Sequence, residues 1–121
     1  MGLDSFWRSE EDPEQHVEVE FPWEPQLCGG IFSAHGCDSF RGKVYSSLVQ
    51  EITGVSLYQE KIHNKVVKEM ADKLDAMYVE VNALTSDLDL AEFGRDKQEL
   101  RDLAMVFRTY ADAGAALYGW W

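Results

Sequence analysis

The chain has 121 residues, 45% hydrophobic and 12% aromatic, which is enough apolar mass for one packed domain and too much for disorder throughout. Its formal charge of −11, from 22 acids against 11 bases, argues against direct nucleic-acid binding and against adhesion to an anionic membrane, because both need Lys and Arg to meet phosphate. No apolar run approaches the ~20 residues of a membrane span, and the first residues carry neither a basic nor an apolar leader, so the expected location is the cytoplasm and the expected class a soluble acidic protein.

Residues 1–26 hold eight acids and one base, residues 27–62 three of each, and residues 63–121 eleven acids and seven bases. A single domain over 1–121 is expected, with a β hairpin and glycine-rich loop over 1–38 and a three-helix portion over 39–121. Leu3, Ser5 and Trp7 alternate on one face of a first strand. Val17, Val19 and Phe21 alternate with Glu18 and Glu20 in what reads as its hairpin partner. The polar stretch between them, with Pro13, is a loop. Pro22 and Pro25 bracket Trp23 and end the second strand, and 27–32 could supply a third.

The remaining elements read as helices. Phe40, Val44, Leu48 and Ile52 recur every four residues over about 39–53, with Asp38 or Ser39 as cap and Gly54 as the residue past the end. A second helix over about 64–81 is expected to bury Val66, Val67, Met70, Leu74, Met77, Tyr78 and Val81. Residues 85–93 are a connector with one helical turn capped by Ser86. Asp96, with Glu99 three residues on, starts a third helix that the apolar spacing carries through Leu117 and Tyr118. The fold class is therefore α+β: a small N-terminal antiparallel sheet of two or three strands packed against three amphipathic α-helices.

Unusual residues concentrate at 28–43. This stretch joins a strand to a helix and carries four glycines, three of them before the helix start. Gly29, Gly30 and Gly36 would let backbone N–H groups approach a ligand. The helix start would add free amides and the positive end of the dipole. Arg41 and Lys43 would add charge, Ser33 and Ser39 hydroxyls, and His35 a polar contact, while Phe32 or Trp23 could stack on a ring. The pattern matches neither common phosphate-loop spacing. It points to a non-enzymatic binding module for a small anion, most plausibly a nucleotide or phosphorylated metabolite, and no cofactor.

Competing readings use the same residues. Cys28, His35 and Cys37 could be zinc ligands, but their spacing matches no common structural site, and no metal is assigned. His35 with Cys37 or Ser39 could serve a small hydrolase or transferase, although neighbours in sequence are poor evidence for a catalytic pair. The acidic N-terminus could instead make the chain a protein–protein interaction or inhibitor module, even a nucleic-acid mimic. Trp120 and Trp121 leave apolar surface that a homodimer or higher homo-oligomer would cover.

Overall fold

The computed structural model describes residues 3–23, 25, 27, 39–83, 85 and 87–121. Its elements in chain order are β1 (Asp4–Ser9), β2 (Ser39–Phe40), α1 (Gly42–Thr53), β3 (Lys61–Ile62), α2 (Asn64–Asn82), a 3-10 turn (Leu90–Phe93), α3 (Lys97–Asp112) and β4 (Ala115–Trp120). The strands form one antiparallel sheet in the order β2-β1-β4-β3. The α+β expectation holds, with four described strands and three α-helices.

The middle of the sheet is built from opposite ends of the chain. β1 and β4 pair along their full lengths, from Asp4 opposite Trp120 to Ser9 opposite Ala115. Period-two alternation then sorts the side chains. Ser5 and Trp7 face the helices with Leu117 and Gly119, while Asp4, Phe6 and Arg8 share the outer face with Trp120, Tyr118 and Ala116. Trp7 is fully buried; its ring stacks on Tyr110 with centroids 4.9 Å apart and meets the Phe107 ring edge-on at 5.0 Å.

Two sequence expectations are corrected. Residues 16–21 form no strand, although Val17, Val19 and Phe21 are half-buried and Glu18 and Glu20 exposed. The alternation is real, but it reflects packing against the helical layer, with the Phe21 ring 5.8 Å from Tyr110, and not a ladder. Both edges of β1 are instead taken by β2 and β4. The third helix stops at Asp112, because Gly114 adopts φ +82° and reverses the chain into β4. Asn64 Nδ2 closes that reversal by donating to the carbonyls of Ala111 and Ala115 at 3.1 and 2.8 Å.

The helix limits are otherwise close to expectation. Gly54 terminates α1 at φ +76° and donates to the Gln50 carbonyl. Asp96 caps α3 by accepting from the Glu99 N–H at 2.8 Å. The helical turn in the connector is capped by Asp89, which accepts from the Ala91 N–H; Ser86 lies outside the described residues. α1 begins three residues later than expected, because Ser39 and Phe40 are spent in β2. The third strand expected over 27–32 lies outside the described residues except for buried Leu27. α2 packs mainly on α3, and Arg108 ties them by donating to Asp72 and, at 3.0–3.1 Å, to Asp75.

The start of α2 carries a pH-sensitive contact. Glu10, just past β1, accepts from the Asn64 N–H at 3.2 Å and lies 2.9 Å from His63 Nδ1, with Lys61 Nζ 3.9 Å away. Burial alone would raise the Glu10 pKa, but the hydrogen bonds from His63 and Asn64 and the positive neighbours outweigh it, so the carboxyl sits below its ordinary 4.5. A depressed folded-state pKa contributes stability that is complete above the unfolded value and is lost as pH falls through the folded one. Glu10→Gln is therefore expected to lower the melting temperature at pH 6, with the gap to the parent closing below about pH 4. Thermal melts at pH 6, 4 and 3 read this directly, and a gap that stays constant would rule the contact out as the cause.

Candidate functional site

Of the ten residues proposed from sequence, Gly29, Gly30, Phe32, Ser33, His35 and Gly36 lie outside the described residues, as do Cys28 and Cys37. The other four are placed. Ser39, Arg41 and Lys43 sit together at the β2–α1 junction, and Trp23 lies against the first half of α3.

The junction is held tightly to β1. Ser39 pairs with Phe6 and Phe40 with Ser5. Gly42, the first residue of α1, lies so close to β1 that a Cβ there would stand 2.2 Å from Ser5 Oγ and 3.0 Å from Leu3 Cδ2. The Lys43 N–H donates to the Leu3 carbonyl at 3.1 Å, and the Val44 N–H to the Arg41 carbonyl at 3.2 Å. Two first-turn amides that sequence reasoning offered to a ligand are thus occupied within the chain. Ser39 likewise belongs to a strand and caps nothing; Arg41 holds the cap position, without a side-chain cap.

What the junction offers is charge. Arg41 and Lys43 are exposed, and among the described residues neither side chain has a hydrogen bond or ion pair. The other four arginines are engaged. Arg8 donates to the Trp7 carbonyl, Arg95 pairs with Glu99 at 2.8 Å, Arg101 pairs with Asp102 at 3.3 Å, and Arg108 bridges to α2. The helix starts differ in the same sense. Glu10 sits at the first amide of α2, and Asp96 and Glu99 occupy the start of α3. The first turn of α1 has no acidic residue. A positive dipole end flanked by two solvated cations favours an anion there.

Trp23 is 38% exposed, and the rest of its ring is engaged within the chain. Its indole N–H donates to Asp102 Oδ1 at 2.6 Å, and the Arg101 guanidinium lies over its ring at 4.8 Å. One ring face and the polar edge are therefore spent inside the chain. Asp102 is fully buried and was not singled out from sequence. The signal that could have found it is that Leu100 and Leu103–Phe107 are all buried, so an acid among them needs internal donors. Beside it, Tyr45 in the first turn of α1 donates to Glu99 Oε2 at 2.9 Å, under the Arg95 guanidinium. This chain of contacts fixes the start of α1 against α3.

The described cavities lie elsewhere. One of about 460 Å³ is lined by Met77 and Phe93 together with Glu51, Asp87, Asp89 and Glu92, and one of about 370 Å³ lies next to it along Leu88 and Asp89. Four carboxylates make the larger one unsuitable for an anion. No helix among the described residues is long and apolar enough to cross a membrane. No protein-family model matches this chain, and no curated protein or solved structure matches it either.

Proposed function

We propose that the chain is a non-enzymatic binding module for a small anion, a nucleotide or phosphorylated metabolite, held over the start of α1. The observation that supports this reading is the pair Arg41 and Lys43: exposed and unengaged among the described residues, beside an acid-free helix start, in a chain with twice as many acids as bases. Lys65, Lys68 and Lys97 are exposed and unengaged among the described residues as well; what sets Arg41 and Lys43 apart is that they stand together at an acid-free helix start. With the Lys43 and Val44 amides already used, the side chains carry more of the affinity than the helix amides. Trp23 contributes by anchoring the preceding segment to Asp102.

The test is a thermal-shift panel of inorganic phosphate, nucleoside mono-, di- and triphosphates and sugar phosphates. A ligand at 100 times its dissociation constant adds about 2.7 kcal/mol, or roughly 10 °C for a domain of this size. That shift is expected for at least one phosphate compound and should vanish in Arg41→Ala/Lys43→Ala. Both side chains are exposed, so the double variant itself should melt within a few degrees of the parent. A flat panel, or a shift that survives the double substitution, would overturn the proposal.

A further inference from the structure

The outer face of the sheet carries a short row of aromatic rings, and two of them have a cation supplied by the chain. Phe6 and Tyr118 stack across β1 and β4 with centroids 5.7 Å apart. The Arg8 guanidinium lies 5.0 Å from the Phe6 ring, and Lys61 Nζ lies 5.7 Å from the Tyr118 ring. The next ring in the row is Trp120. It is 72% exposed, and among the described residues no cation lies over it. Indole is the strongest of the aromatic faces for a cation, yet this one is left open.

The register adds a countercharge. Asp4 is the cross-strand neighbour of Trp120, so both side chains stand on the same face within contact range of a common ligand. Asp4 is exposed and has no ion pair among the described residues. Beyond the strand end, Trp121, 48% exposed, meets the half-exposed ring of Tyr58 edge-on at 5.6 Å. The surface thus combines an open indole and an exposed carboxylate without an ion pair among the described residues, within a chain of charge −11.

We infer that this end of the sheet is a docking surface for a basic partner protein, whose arginine or lysine side chain lies over Trp120 with Asp4 as its counter-ion. The guanidinium or ammonium group would continue the arrangement that Arg8 and Lys61 make on Phe6 and Tyr118. A second copy of this chain is disfavoured as occupant, because it would bring two bodies of charge −11 together with the Asp4 carboxylates at the contact. The surface is separate from the anion site, since neither Arg41 nor Lys43 takes part.

The test measures binding of a fluorescein-labelled arginine–glycine repeat peptide by anisotropy, with its lysine–glycine counterpart and a glutamate–glycine control. Both basic peptides should bind and the control should not. Trp120→Ala should weaken binding about fivefold, while Trp120→Phe should lose less. Asp4→Asn should weaken binding more than Glu14→Gln, which removes the same charge from the loop at the far end of β1. Trp120 is mostly exposed and should be replaceable without loss of fold, checked by circular dichroism. Equal loss in Asp4→Asn and Glu14→Gln, with none in Trp120→Ala, would mean diffuse attraction to an acidic surface and would overturn the inference. No binding of either basic peptide, or a dimer in sedimentation that Trp120→Ala abolishes, would overturn it as well.

Discussion

Trp7→Ala is expected to lower the unfolding free energy by about 3–5 kcal/mol, roughly a fifth or more of the total for a domain of ordinary stability. Trp7 has no exposed surface, and its ring contacts come from three directions: Tyr110 and Phe107 on α3, and Phe40 on β2 at 6.2 Å. The substitution removes the largest fully buried side chain and leaves a cavity between sheet and helices. It also removes aromatic pairings worth about 0.5–1.5 kcal/mol each beyond their buried area. Trp7→Phe should recover more than half of the loss. Among the described residues the buried indole N–H has no hydrogen-bond partner, so phenylalanine discards an unfavourable group along with part of the ring. Urea unfolding followed by far-ultraviolet circular dichroism measures both. A loss below about 1 kcal/mol in Trp7→Ala would mean that the sheet and helices are not joined at this ring.

A Cβ at position 119 has a harder obstacle to meet. It would stand 2.5 Å from the Gln59 carbonyl oxygen and 3.0 Å from the Leu57 carbonyl oxygen. These are main-chain atoms of the segment leading into β3, and that segment also accepts a hydrogen bond from the Gly119 N–H at the Glu60 carbonyl. Relief would require moving the backbone, so Gly119→Ala should cost about 3 kcal/mol. Gly42→Ala is the instructive comparison. Its nearest atom is the Ser5 hydroxyl, which among the described residues has no hydrogen-bond partner to lose and can turn aside. Alanine is also preferred over glycine in a helix by about 1 kcal/mol. The expected cost at 42 is therefore about 1 kcal/mol, and the ranking of the two variants in urea is the check. The reverse ranking would show that the 57–60 segment yields more easily than the start of α1.

The helices were legible in the sequence because each presents one dominant face. Leu48 is buried in α1 together with Tyr45 and Val49, while Val44 and Ile52 of the same stripe are half-buried; Val67, Met70, Leu74 and Val81 are buried in α2, while Val66, Met77 and Tyr78 are half-buried. Glycine and aspartate also marked the ends reliably at Gly54 and Asp96. The strands were less legible for two physical reasons. Alternation reports which side chains are covered, not whether the backbone has a ladder partner, so 16–21 looked like a strand without being one. β4 is central and covered on both faces, so Ala115 to Tyr118 are all buried and show no alternation. Its Leu117 and Tyr118 even continue the helical spacing of Phe107, Tyr110 and Ala111. At the candidate site, the cations Arg41 and Lys43 could be read from composition alone. That Gly42 serves the packing of Ser5 and Leu3, and that Trp23 answers a buried acid on α3, depends on contacts between distant parts of the chain.

The pairing of β1 with β4 also sets an order of events in folding. Ser9 and Tyr118, joined by the tyrosine hydroxyl at 2.8 Å, are 109 residues apart in sequence. Closing a flexible loop of that length costs on the order of 4 kcal/mol in chain entropy. α2 and α3 are neighbours in sequence and can meet early at little cost. β1 must wait, and until β4 is in place Trp7 has helices to pack on but its strand lacks the partner that fixes it. The β1–β4 pairing is then a late clasp over a helical pair that can form first, and during vectorial synthesis β1 has only the two-residue β2 beside it until β4 is made.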